Sequence, residues 1–188
     1  MRWSKLSRKL TNGSVTLASI VLCLLLSPVR FPGMELLGVA PNWLLLWVVA
    51  WSINRNFWQA ALAGWAVGLL QDGMSEPVPT RALSLLIIGV LTASLKKKKY
   101  VQEDFISVSL IVFAMSVIAE TIVALQFCWY TWRPGDGLTF LHFDEVWSYY
   151  QEVTLASALL SSLWAPVLYY PLNYWWRRMQ LLEINSTS

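Results

Sequence analysis

Charged side chains are scarce in this chain. They make up 13% of 188 residues, where soluble domains carry about 25%. Residues 10–29, 36–53, 56–71, 82–95 and 153–176 contain none, and 105–132 contains only Glu120. Histidine occurs once, at 142, and cysteine twice, at 23 and 128. Two separated thiols and one histidine give no metal-ligand spacing and no disulfide framework. The chain also lacks a nucleophile elbow, a phosphate loop and paired carboxylates within an apolar segment. A membrane enzyme of this size would need a polar constellation at one depth. No catalytic residue, metal or cofactor is therefore expected.

What remains is apolar. Hydrophobic residues reach 56% of the chain. In a bilayer the backbone satisfies its own hydrogen bonds, which requires helices. A crossing takes roughly 20 apolar residues, fewer at the short end of the range. The sequence predicts one membrane domain over 1–188 with six crossings, at about 14–30, 36–53, 57–72, 80–95, 105–128 and 153–176. The fold class is all-α, a polytopic helical bundle. The fourth crossing is short, but lysine stems extend it into the headgroups. The second is interrupted at Pro41-Asn42, and a re-entrant hairpin with the third is the alternative.

Lysine and arginine set the orientation. With a cytoplasmic N-terminus, eleven of them lie inside and three outside, the outer ones being Arg30, Arg81 and Arg133. This positive-inside bias places both termini in the cytoplasm. The net charge of +3 then reflects topology. No basic-aromatic platform for nucleic acid is present. The basic start and apolar run from 15 to 26 resemble a secretory signal, but Pro41 follows the nearest small-residue pattern. An uncleaved first crossing is expected.

Several residues stand out. Glu120 sits about 15 residues into its crossing, roughly 22 Å deep. An ionised group at mid-bilayer costs about 2.5–3.5 kcal/mol, so it should face the bundle beside a partner, and Arg30 is a candidate. Structural pairing is favoured over ion transport, since no second such residue lies at that depth. Asp72 and Arg81 flank a short outer loop and form a candidate ion pair. Ala60, Gly64 and Gly68 form a small-residue row for close helix approach, within the bundle or to a partner's single crossing. Trp43, Trp47 and Trp51 form one stripe, a packing or lipid-contact face. Phe143, Val146, Trp147 and Tyr150 define an amphipathic helix lying on the outer surface, either a collar or a docking ledge. Lys96, Lys97, Lys98 and Lys99 form a cytoplasmic cluster that anchors topology or attracts anionic lipid.

Two stretches carry a resemblance. Pro41-Asn42-Trp43 leads a leucine run, and Gly64-Trp65-Ala66-Val67-Gly68-Leu69-Leu70-Gln71-Asp72-Gly73 closes the third crossing. Pro41, Trp43, Gly64, Gly68, Leu69 and Asp72 match the pattern of the rod-shape determining MreD family. About 35 residues carry the likeness, with hydropathy alone elsewhere. The segment 74–79 is more polar and proline-rich than is usual there, and loop 129–152 is longer.

The resemblance implies a noncatalytic plasma-membrane scaffold of the bacterial cell-elongation machinery. Its main partner would be MreC. The pair would help couple MreB filaments to peptidoglycan synthesis by RodA and its transpeptidase partner, and so to regulation of cell shape. The family fold is similar to that of the substrate-binding components of energy-coupling-factor vitamin transporters, which supplies the alternative function. Those components carry an alanine row on the first helix, whereas here Leu22 follows Ala18 by one turn. The sequence leaves homo-oligomerisation open.

Overall fold

The computed structural model describes residues 5–29, 38–74, 79–97, 105–131 and 143–184. They form six helices and no β-strand: α1 (Lys5–Leu26), α2 (Trp43–Ser52), α3 (Phe57–Asp72), α4 (Arg81–Lys97), α5 (Phe105–Thr131) and α6 (Phe143–Ile184). Among the described residues two segments are long and apolar enough to cross a membrane, Phe105–Trp129 and Val153–Met179. Shorter apolar helical stretches are Leu10–Leu26, Trp43–Ser52 and Arg81–Leu95.

α2 is the centre of the molecule and touches each of the other five helices. It is apolar on every side, and such a helix belongs in a core. Residues 43–50 are all buried. Trp47 is enclosed, stacked on Trp51 at 5.9 Å and edge-on to Trp176 at 6.5 Å. Its indole N–H donates to Ser19 Oγ of α1 at 2.8 Å. The Trp43–Trp47–Trp51 stripe is thus mainly a packing face.

Among the described residues of the expected segment 36–53, which begin at Gly38, the helix starts at Trp43. Pro41 offers no N–H and disfavours helix at Ala40. Asn42 then caps the helix, its Oδ1 accepting from the Leu45 N–H at 3.2 Å. Ten helical residues span about 15 Å, half of a hydrocarbon core of about 30 Å.

α2 runs parallel to α6 and is tied to it twice. The Asn42 backbone N–H donates to Ser161 Oγ at 3.0 Å, and the Asn54 amide donates to Asn173 Oδ1 at 2.7 Å. The same sequence offset of 119 in both bonds fixes a common direction. Asn173 is buried. Asn173→Ala removes one clamp and should lower stability by about 1 kcal/mol. Thermal melts of the detergent-purified protein check this, and an unchanged midpoint would show that the bond contributes nothing.

The closest pairings are α3 with α4 and α5 with α6. Glycine makes the first possible. A Cβ at Gly64 would collide with the Leu85 carbonyl oxygen, one at Gly68 with the Ala82 backbone, and one at Gly89 would lie 2.5 Å from the Ala60 oxygen. The small-residue row is therefore filled by α4 and is no free face for a partner's helix.

α6 departs from expectation. A surface helix turning into the sixth crossing was anticipated. The two are instead one 42-residue helix, about 63 Å long. The stripe Phe143, Val146, Trp147, Tyr150 occupies its first turns, and those side chains lie outside the described set. The backbone is thus helical without a break between the stripe and the segment expected to cross the membrane.

Candidate functional site: a polar seam between two helical hairpins

The polar side chains gather at the end of the bundle where α2 begins. Asp72 is the last residue of α3. Its Oδ1 accepts from the Arg81 N–H at 2.7 Å and its Oδ2 from the Ala82 N–H at 3.2 Å. These are the first N–H groups of α4, which have no partner within their own helix. The carboxylate also meets the positive end of the helix dipole. The expected Asp72–Arg81 ion pair is thus replaced by a cap: the main chain is the ligand, and no side-chain ion pair joins the two residues. Eight residues separate Asp72 from Arg81 in sequence.

Glu120 comes from α5 and is 8% exposed. The Asn42 side chain donates a hydrogen bond to it, and the Arg81 guanidinium is near enough for its charge to act on the carboxylate. Arg30, the anticipated partner, lies outside the described residues, and the cation found here is Arg81. Asn42 therefore joins three helices. Its Oδ1 caps α2, its amide N–H reaches Glu120 on α5, and its backbone N–H reaches Ser161 on α6. Further out, Thr80 Oγ1 donates to Gln126 Oε1 at 3.1 Å, linking the start of α4 to α5.

On α3 and α5 three polar side-chain atoms are buried without a partner, Gln71 Oε1, Ser116 Oγ and Gln126 Nε2, and Ser52 Oγ of α2 and Tyr169, Trp175 and Trp176 of α6 are others away from the seam end. Ser116 lies one turn before Glu120 on the same face of α5. The charged members of the seam are used in binding one another and the backbone. Among the described residues no group of three His, Cys, Asp or Glu is placed to hold a metal.

Other residues singled out in the sequence divide in two. Pro41, Trp43, Gly64 and Gly68 are all buried, and Trp43 packs on Trp164 at 5.7 Å. Lys96 and Lys97 end α4, with side chains outside the described set, and Lys98 and Lys99 lie beyond it. Sequence reasoning missed Asn42 as a hub, although an asparagine heading an apolar run is a capping signature. Ser161, Gln126 and Asn173 carried no local signal, because their partners are distant in sequence.

The family model described as rod shape-determining protein MreD matches residues 7–178, a stretch that contains the entire seam and the glycine row. The chain belongs to the MreD family. MreD is a structural, shape-determining family of bacterial membrane proteins, so this chain has a role in rod shape determination. Within MreD, the aspartate of the signature here caps the next helix, and the two signature glycines seat it. No curated protein and no solved structure matched the chain.

Proposed function

We propose that this MreD chain is a noncatalytic scaffold crossing the bacterial plasma membrane six times, with both termini in the cytoplasm. It holds MreC and helps couple MreB filaments to peptidoglycan synthesis by RodA and its transpeptidase partner.

The observation that supports a multi-pass bundle is its outer surface. α5 exposes large apolar side chains from Ile106 to Trp129, and α6 from Leu155 to Tyr174. At 1.5 Å per residue these bands are about 35 and 29 Å tall, the height of a hydrocarbon core. α3 exposes Trp58, Leu62, Trp65 and Leu69, and α1 exposes Leu10, Leu17, Val21 and Leu25. A girdle this continuous far exceeds the patches that water tolerates on a monomer. The second crossing is completed by non-helical backbone up to Pro41, which is acceptable at membrane depth where protein covers it. Arg55, Lys96, Lys97, Arg177 and Arg178 fall at the Asn54 end, and that end is the cytoplasmic one by the positive-inside rule. The polar seam then faces outward.

A scaffold role follows from how the polar groups are used. Asp72, Asn42, Glu120 and Arg81 bind one another and the backbone, so they fix a shape and hold no reactants. Affinity capture of the tagged chain from detergent, together with MreC expressed in the same cells, tests the partner. MreC should be retained, and its absence from the eluate would overturn the assignment. With Cys23→Ala and Cys128→Ser removing the native thiols, a cysteine at residue 188 should react with a membrane-impermeant maleimide only after the cells are opened. Labelling of intact cells would reverse the topology.

A further inference from the structure

The seam divides the molecule unevenly. α3 and α4 are locked by three glycines whose faces admit no side chain, and by the Asp72 cap. α5 and α6 form a second extensive pair. Between these hairpins the direct contact of α4 with α5 is much slighter. At the seam end, the described ties between them are Thr80–Gln126 and the Arg81–Glu120 attraction, with Asn42 of α2 tied to α5 and α6 alongside. This is also where Gln71 Oε1, Ser116 Oγ and Gln126 Nε2 are buried without partners. Buried polar groups left unpaired are rare in folded proteins and call for a physical explanation. Segments that open below the global unfolding energy are those with fewer buried contacts. A closed seam that leaves three polar atoms unsatisfied meets both descriptions.

We propose that the seam is a latch: the α3–α4 and α5–α6 hairpins part at the Asp72 end, while α2 stays clamped to α6 through Asn42–Ser161 and Asn54–Asn173 and serves as the pivot. Opening admits water to the three unpaired groups and releases Thr80 from Gln126. Closing restores the Arg81–Glu120 attraction. The α3–α4 hairpin moves as a rigid body, since its glycine contacts leave no room between the two helices.

Two spin-label pairs on the full chain in lipid nanodiscs test this, with Cys23→Ala and Cys128→Ser removing the native thiols. Leu83→Cys with Leu125→Cys spans the seam, and Leu69→Cys with Leu83→Cys lies within one hairpin. All three positions are exposed. The seam pair should show a minor population at longer distance. In Glu120→Gln that population should rise about tenfold, equivalent to about 1.4 kcal/mol, the scale of one hydrogen bond to a charged group. The intra-hairpin pair should not change. Thr80→Val, a milder substitution at an exposed position, should shift the seam pair in the same direction. One seam distance common to all variants would overturn the latch, as would equal broadening of both pairs.

A cellular arm adds function. Thr80→Cys with Gln126→Cys, joined by a short bis-thiosulfonate cross-linker, should abolish rod shape, and a reductant should restore it. Normal rods with the cross-link in place would show that opening is not used. The distance measurements involve no partner, so they stand apart from the MreC assignment.

Discussion

Gly64→Leu should leave no folded bundle to purify, and Gly68→Leu should do the same. The expectation rests on backbone, not on side chains that can swing away. A Cβ at Gly64 collides with the Leu85 carbonyl, and one at Gly68 with the Ala82 main chain. Neither neighbour can move unless α4 moves as a whole. Overpacking a well-filled core typically costs about 1–3 kcal/mol and occasionally more. Four added carbons against a helix backbone belong at or beyond the upper end. In lipid, no hydrophobic drive compensates for a lost helix–helix contact, because tails and side chains are equally apolar. Gly64→Ala should be the graded case, with a melting midpoint well below wild type and detectable folded protein. Fluorescence-detected gel filtration after stepwise heating measures both. A Gly64→Leu protein that stays monodisperse and melts like wild type would mean α3 and α4 are not locked as described. It would also revive the reading of this row as a partner's docking face.

The fold was legible where composition alone decides it, and illegible where it turns on pairs distant in sequence. Segments free of charge announced helices, and five of the six expected segments overlap long helices in the structure. The second did not, because hydropathy cannot see that Pro41 and Asn42 delay the helix to Trp43. The continuity of α6 from Phe143 was hidden for a related reason. Periodicity at 143–150 identifies a helix and one apolar face, but nothing in it tells whether the helix bends before residue 153. For the site, Asp72, Arg81 and Glu120 were all visible as charges in apolar surroundings. Their partners were not. Charge matching paired Asp72 with the Arg81 side chain, whereas its carboxylate accepts from the N–H groups of residues 81 and 82. Glu120 was matched by depth to Arg30, which lies outside the described residues, and depth alone did not point to Arg81. Asn42, Ser161 and Gln126 are uncharged, and a count of ionisable groups passes over them.

Asp72→Ala should be the most damaging single change among the seam's charged residues, and Arg81→Ala among the mildest. The asymmetry follows from which atoms of residue 81 are used. Asp72 accepts two backbone N–H groups at 2.7 and 3.2 Å. An aspartate removed from a capping position costs about 0.5–2 kcal/mol. Hydrogen bonds to an ionised acceptor are roughly twice as strong as neutral ones, and the half-buried site limits rescue by water. A loss of about 2 kcal/mol is therefore expected. Asp72→Asn keeps one acceptor oxygen and loses the charge, so it should recover part of that loss. Arg81→Ala leaves the N–H in place and removes only the longer-range attraction to Glu120. Were the two residues an ion pair, their deletions would cost similar amounts, and the double variant would cost little more than either single one. With a cap, the two losses should be unequal and close to additive, since distinct interactions are removed. Melting midpoints of the four proteins in one detergent decide between the schemes. Equal destabilisation by Asp72→Ala and Arg81→Ala, with strong non-additivity, would restore the ion pair and remove the capping role from the signature aspartate.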